Sequence, residues 1–222
     1  MFDALNEIGI SNGMITSAGI TIFLCVVAII AGRNMKLVPS GLQNAVEWAI
    51  GSLYNFFEDI MGKEGCKKYF PLVASLFIYI VCCNYSGLLP GSGHVSGLHA
   101  PTASINCTMA LAIIVFVAMN VIGVREHHGL SYYKHWLQPF AFLLPLMLIE
   151  DLVKPVSLTL RLYGNVFGEE TVTHEFFNLV PVGLPVVMQF LSVLMGLIQA
   201  LVFSLLAAIY IKEAMPEEEE HL

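Results

Sequence analysis

The sequence predicts an all-α membrane protein that crosses the bilayer several times. Of its 222 residues, 57% are hydrophobic and only 12% are charged, and the mean hydropathy is +0.75. A water-soluble domain of this length needs more charge than that to cover its surface. Three apolar segments, residues 15–32, 69–89 and 103–124, contain no Asp, Glu, Lys or Arg. Each is close to the length of about 20 residues that a helix needs to cross a bilayer, so we expect three transmembrane helices.

Residues 39–62 predict a different kind of helix, one that lies on the membrane surface. Apolar and polar side chains recur at helical spacing and fall on opposite faces. The apolar face carries Leu42, Val46, Ile50, Leu53, Phe57 and Ile60, and the polar face carries Gln43, Glu47, Asn55 and Asp59. This pattern is typical of an amphipathic helix that buries its apolar face in the membrane interface.

The last third of the chain predicts a hairpin of two long, tilted membrane helices, residues 140–171 and 184–212, followed by an acidic tail at 213–222. Residues 185–211 carry no charge and would form about 40 Å of helix. That is longer than a perpendicular crossing requires, so we expect the helix to tilt or kink. A polar loop is expected around residues 171–176.

Basic residues in the loops predict the orientation. The N-terminal segment and the loop at 90–102 contain none. The segments 33–68 and 125–138 and the end of the last apolar run lie on one side of the membrane if the chain crosses it as predicted. These segments contain eight basic residues: Arg33, Lys36, Lys63, Lys67, Lys68, Arg125, Lys134 and Lys212. Because cytoplasmic loops are enriched in Lys and Arg, the N-terminus is predicted outside and the C-terminus in the cytoplasm.

The first hairpin helix carries a polar stripe. Its members follow at every third or fourth position and therefore share one helix face: Glu150, Lys154, Ser157, Arg161, Asn165 and Glu169. Arg161 has no charged residue three or four positions away. An arginine at the bilayer centre costs about 2.5–3.5 kcal/mol even on a lenient scale. Its presence therefore indicates a function, or a counter-ion on another chain.

Lys154 has a simpler alternative explanation. It could pair with Glu150 or Asp151, which lie one turn earlier, or extend its ammonium group to the interface.

The second hairpin helix carries a seam of Gln189, Ser192, Gly196 and Gln199. Such a seam lines a cavity or packs two helices closely. Packing is the simpler interpretation for Ser192 and Gly196, whereas the large amide of Gln199 favours a polar partner.

At this point the sequence resembles a known family. KPVSLTLRLYGNVFGEE, with GLIQALVFSLLAAIY further along, is similar to the signature of subunit a of the membrane (Fo) sector of bacterial F-type ATP synthases. NYSGLLPG and PTASINCTMALA resemble other segments of that family, so the resemblance covers nearly the whole chain. It implies a plasma-membrane stator subunit against which a ring of small hairpin subunits, the c-ring, rotates. Two offset half-channels would exchange ions with a carboxylate on each ring subunit. The peripheral-stalk subunit b and the remaining synthase subunits are the other implied partners.

The resemblance also implies roles for individual residues. Arg161 matches the arginine that faces the passing ring carboxylates and separates the half-channels. Glu169 matches an acid of the external half-channel, Asn165 and Gln199 match polar residues near the arginine, and Glu150 lies towards the cytoplasmic half-channel. The secondary polar lining would comprise Ser157, Lys154, Ser192, Gln189 and His174.

One position departs from the pattern of some family members. Ser192 stands where they place a titratable residue opposite the Glu169 position. Either water carries the ion past Ser192 or the coupling ion is not a proton. His174 could substitute, although a solvated loop histidine is the simpler interpretation. We expect proton coupling, with sodium as the alternative.

Other classes of protein fit less well. The net charge of −7 gives no surface for nucleic acid. An intramembrane metalloprotease would need converging ligands, but His127, His128 and His135 form no HExxH motif. A free-standing transporter would show two similar halves, and these halves are dissimilar. No GxxxxGK[ST] phosphate loop occurs, so we expect no cofactor, no metal and no catalysis by this chain alone.

Overall fold

The computed structural model describes residues 12–33, 41–88, 100–126, 144–179 and 183–216. These ranges contain a short 3₁₀ turn, Pro101–Ala103, and five α-helices: α1 (Asn12–Arg33), α2 (Leu42–Ser86), α3 (Ile105–Glu126), α4 (Leu144–Leu179) and α5 (Leu184–Glu213). They contain no β-strand. The all-α prediction is therefore confirmed.

Four of these helices are long and apolar enough to cross a membrane, namely α1, α2, α3 and α5. The fourth helix in chain order, α4, differs because charged residues interrupt its apolar sequence, among them Asp151, Lys154 and Arg161. A helix with such residues is stable at membrane depth only where they find polar partners or a cavity. The chain is thus a polytopic membrane protein in which α4 is the unusual helix.

A glycine divides α2 into two arms. Gly62 has φ 76° and ψ 167°, a left-handed φ that favours glycine, and it separates residues 42–61 from residues 63–86. Residues 42–62 of the amphipathic segment expected at 39–62 and residues 69–86 of the span expected at 69–89 therefore belong to one kinked helix. The apolar face of the first arm packs inward through the fully buried Phe57, while Asp59 is exposed. The position of this arm in the membrane interface remains a prediction.

Two apolar clusters hold the helices together. One cluster joins α2, α3, α4 and α5 through large side chains such as Ile80, Val115, Leu162 and Phe203. The other joins both arms of α2 to the ends of α3 and α5, and it contains Phe57, Met61, Cys66, Val73, Ile122, Ala208 and Ile211. As a result, α5 packs mainly against α2, and α4 packs against α3 and α5.

Helix α4 extends further than the sequence indicated. Residues 171–176, expected as a polar loop, are helical, and α4 ends at Leu179. The Thr171 hydroxyl donates to the backbone carbonyl of Phe167 at 2.8 Å, so a polar side chain is accommodated within the helix. No Gly or Pro lies between residues 169 and 180 to stop it. The loop prediction is therefore wrong, and His174 belongs to a helix; its side chain lies outside the described residues.

Candidate functional site

Helices α4 and α5 run antiparallel and carry most of the predicted site residues. We call the end of this pair near Glu169 and Ser192 the outer end. The end near Glu150 and Glu213 is the inner end, following the predicted orientation. Arg161 lies between the two ends.

Arg161 is exposed on the surface of the described helices. The exposed surface of α4 near it carries large apolar side chains, among them Val156 and Leu160, which are 54% and 58% exposed, together with the exposed amide of Asn165. Among the described residues, the ion pairs involve Lys68 and Lys154 and none involves Arg161. The structure thus places an arginine on an exposed and mostly apolar helix surface, without a counter-ion in the described part of the chain.

Asn165 and Gln199 form a polar pair one turn from Arg161. Nδ2 of Asn165 donates to Oε1 of Gln199 at 2.7 Å, which supplies the polar partner expected for Gln199. The Gln199 side chain is 4% exposed, and its Nε2 has no hydrogen-bond acceptor in the described structure. A buried donor without an acceptor is destabilising, and an apolar residue of similar size would avoid that cost. Packing alone therefore does not explain this amide.

Glu169 and Ser192 meet at the outer end. The Ser192 hydroxyl on α5 lies close to the Glu169 carboxylate on α4. Ser192 is 3% exposed, and Glu169 is partly buried. Ser192 therefore occupies the place opposite Glu169 that the sequence indicated. The neighbouring Glu170, which sequence reasoning did not single out, is also partly buried and lies beside Gly87.

A second polar network links α5 to α2 rather than to α4. Asn84 is 7% exposed; its Nδ2 donates to the carbonyl of Gly196 at 2.9 Å, and its Oδ1 accepts from the Thr102 hydroxyl at 2.8 Å. Nε2 of Gln189 donates to the carbonyl of Leu88 at 2.9 Å. Gly196 thus contacts α2 and Gln189 contacts the segment just after it, so the expected seam does not line a single cavity facing α4.

Sequence reasoning missed Asn84 and Thr102. Asn84 could have been predicted, because it is the one amide side chain in the otherwise apolar segment 69–89. Such an amide usually bonds to a neighbouring helix in a membrane bundle. Gly196 permits the contact, because a Cβ at this position would lie 3.3 Å from the Cβ of Asn84.

Lys154 holds the inner end together. Its Nζ lies 3.1 Å from the Asp151 carboxylate on the same helix and 3.0 Å from the Glu213 carboxylate on α5. It also lies 5.3 Å from the centre of the Tyr210 ring, a cation–π distance. Of the two acids predicted as partners, Asp151 makes the contact. The partner on α5, Glu213, was not predicted.

The remaining predicted residues lie along the same helix. Ser157 is partly buried and Glu150 is exposed, both inward of Arg161. The three histidines of the metalloprotease alternative, His127, His128 and His135, lie outside the described residues. Within the described ranges, no group of three or more His, Cys, Asp or Glu side chains could hold a metal ion.

These features define a class: an all-α membrane protein with a fixed surface arginine and polar pairs between two long helices. The family model described as ATP synthase A chain matches residues 14–212. The chain is 42% identical to ATP synthase subunit a of Trichlorobacter lovleyi over 211 residues, which cover 93% of this chain and 88% of that protein. Identity is 44% over 200 residues for the subunit of Geobacter sp. strain M21 (88% and 84%) and 40% over 221 residues for that of Geotalea daltonii (96% and 93%).

The chain therefore belongs to the ATP synthase A chain family, whose members are subunit a of the Fo sector. The resemblance read from the sequence is confirmed. Subunit a is the membrane-embedded ion-channel subunit of the synthase and is not a catalytic subunit.

Proposed function

We propose that this chain guides ions past a rotating c-ring, with Arg161 as the fixed charge that faces the ring carboxylates. The exposure of Arg161 on an apolar surface, without an ion pair in the described residues, carries the proposal. Lipid alone would leave this charge unsatisfied. A carboxylate presented by a neighbouring subunit would satisfy it, and each ring subunit would present one in turn.

An arginine suits this task better than a lysine. Its guanidinium group keeps its charge in surroundings where a desolvated ammonium group can lose its proton. Facing the ring, the charge of Arg161 stabilises the carboxylate after its ion has left and so promotes release. The same charge repels cations, so it opposes direct leakage from one half-channel to the other.

The outer half-channel is proposed to pass Glu169 and then the Asn165–Gln199 pair. These groups lie in order along α4, and Glu169 is eight residues, about 12 Å, from Arg161. The proximity of the Ser192 hydroxyl to Glu169 supports the proposal, since it gives a partly buried carboxylate a polar neighbour on the facing helix. Ser192 has no titratable proton near neutral pH, so Glu169 carries the exchange in this scheme. Gln189 and His174 are proposed as outer lining.

The inner half-channel is proposed to pass Ser157 and Glu150 towards the cytoplasm. Glu150 is exposed and lies eleven residues, about 16 Å, from Arg161 on the other side from Glu169. This order gives the two half-channels an offset on either side of the arginine. The basic loops support an outside N-terminus and a cytoplasmic C-terminus in a bacterial plasma membrane. Subunit b and the remaining synthase subunits are the other proposed partners.

Proton is the proposed coupling ion, with sodium as the alternative, because the ion-binding carboxylate belongs to the ring and not to this chain. ATP-driven acidification of vesicles that hold the assembled complex, measured with and without sodium, distinguishes the two. Acidification that persists in sodium-free buffer supports proton coupling. ATP-driven sodium uptake without acidification, and no pumping in sodium-free buffer, would contradict it.

The role of Arg161 is tested by substitution in the assembled complex. Arg161→Ala is expected to abolish ATP-driven ion pumping while the soluble head still hydrolyses ATP. Arg125→Ala is the matched control, because Arg125 is an exposed basic residue near the end of α3 to which the proposal assigns no role. Normal pumping by Arg161→Ala would refute the proposal.

A further inference from the structure

The inner end of the α4–α5 pair contains one cation held by two helices. Lys154 and Asp151 on α4 are 17% and 13% exposed, whereas Glu213, the last residue of α5, is 53% exposed. The aromatic ring of Tyr210 adds a third contact, also from α5. Lys154 therefore joins groups of both helices through a single ammonium group.

We propose that Lys154 is a positioning residue that fixes α4 along α5 and thereby determines where Arg161 faces the ring. The inference rests on the function proposed above for Arg161. It assigns to Lys154 a role in geometry rather than in lining the path of the ion.

The spacing along the two helices supports this role. Lys154 precedes Arg161 by seven residues, two turns or about 10.5 Å, so the two cations share a face of α4. Tyr210 contacts Lys154 and lies within electrostatic reach of Arg161. A slip of α4 along α5 by one turn, about 5.4 Å, would part Lys154 from both Tyr210 and Glu213.

The energetics favour an effect on register over an effect on overall stability. Glu213 is half exposed, so solvent screens its attraction to Lys154. Asp151 is nearly buried, and without Lys154 its carboxylate would lose the cation that compensates for its burial. The apolar cluster around Leu158 and Leu162 still holds the helices together when the ion contacts are absent. We therefore expect variants of Lys154 to assemble and to work poorly.

The test uses the assembled complex in vesicles, with every value normalised to the amount of complex. Lys154→Gln should lower ATP-driven pumping about fivefold, and Glu213→Ala should lower it less, because Asp151 and Tyr210 still contact Lys154. The double variant should fall no further than Lys154→Gln, because that variant has already lost the contact with Glu213. Passive ion leak through Fo after removal of the soluble head should rise in the same variants, since a displaced Arg161 no longer separates the half-channels. Lys154→Arg should retain pumping. Lys212→Gln, a neighbouring exposed lysine, is the control and should leave both readouts unchanged.

Three outcomes would overturn the inference: unchanged pumping in Lys154→Gln, losses that add up in the double variant, or less assembled complex with normal pumping and leak per complex. The last outcome would mean a purely structural role. These outcomes would refute the role of Lys154 without refuting the role of Arg161. The role of Arg161 would be refuted by normal pumping in Arg161→Ala, whatever the Lys154 variants do.

Discussion

The two ends of the α4–α5 pair are joined by different chemistry. At the outer end the contacts involve uncharged polar groups: Asn165 donates a hydrogen bond to Gln199, and the Ser192 hydroxyl lies close to Glu169. At the inner end they are ion pairs centred on Lys154. Amides and hydroxyls can exchange partners with water or a passing ion without leaving a fixed charge unpaired. An ion pair in a poorly solvated site cannot be broken as cheaply. The comparison indicates that the outer end is suited to transfer and the inner end to holding the helices in place.

The largest effect, on assembly of the complex, is expected where Gly196 of α5 packs against Asn84 of α2. Gly196→Val adds a branched side chain where even a Cβ would lie 3.3 Å from the Cβ of Asn84. Overpacking of this kind costs about 1–3 kcal/mol, and the displaced helix also loses the hydrogen bond from Asn84. We expect the assembled complex to be nearly absent from immunoblots of purified membranes. Gly19→Val is the control, because nothing lies within 4 Å of the corresponding position on α1. Equal loss in both variants would contradict the packing explanation.

A smaller effect is expected from the outer carboxylate. Glu169→Gln keeps the shape of the side chain but removes its titratable proton, so transport should fall at least about tenfold while the complex still assembles. The rate of ATP-driven pumping, measured across the working pH range, checks this. Glu175→Gln, an exposed acid further along α4, is the matched control and should pump normally. An unaffected rate in Glu169→Gln would remove this residue from the outer path.

The smallest effect is expected at Gln199, where function and stability should separate. Gln199→Leu removes a buried donor without an acceptor and the contact with Asn165. Stability should therefore stay the same or rise, while pumping falls about threefold, the effect of one net hydrogen bond of about 0.7 kcal/mol. Thermal denaturation of the purified complex and the pumping rate are measured on the same sample. A clear loss of stability with unchanged pumping would make Gln199 a packing residue.

The sequence predicted those features of the fold that depend on local pattern. Apolar length indicated α1, α3 and α5, and helical spacing placed Arg161, Asn165 and Glu169 on one face. The predicted end of α4 was wrong, because the two threonines, the histidine and the glutamate at 171–176 look like a loop when the absence of Gly and Pro is not considered. The kink at Gly62 was not predicted either, since nothing local tells a left-handed glycine from a helical one.

Contacts between helices were harder to predict, because they depend on how far one helix is shifted along another. Glu213 follows a long apolar run and looked like the start of a solvated tail, yet it reaches Lys154. Gln189 seemed to belong with Gln199, yet it bonds to Leu88 of the segment after α2. Helical periodicity gives the face of a residue but not the neighbour that meets it.

The central claim is that Arg161 and the apolar surface around it face the c-ring. Site-specific photo-cross-linking in the assembled complex tests it directly, with the cross-linker placed at Leu160, which is 58% exposed, or at Leu158, which is 1% exposed. The account predicts a covalent product with the ring subunit from position 160 and none from position 158. Cross-links from position 160 to lipid or to another subunit, with none to the ring, would contradict it.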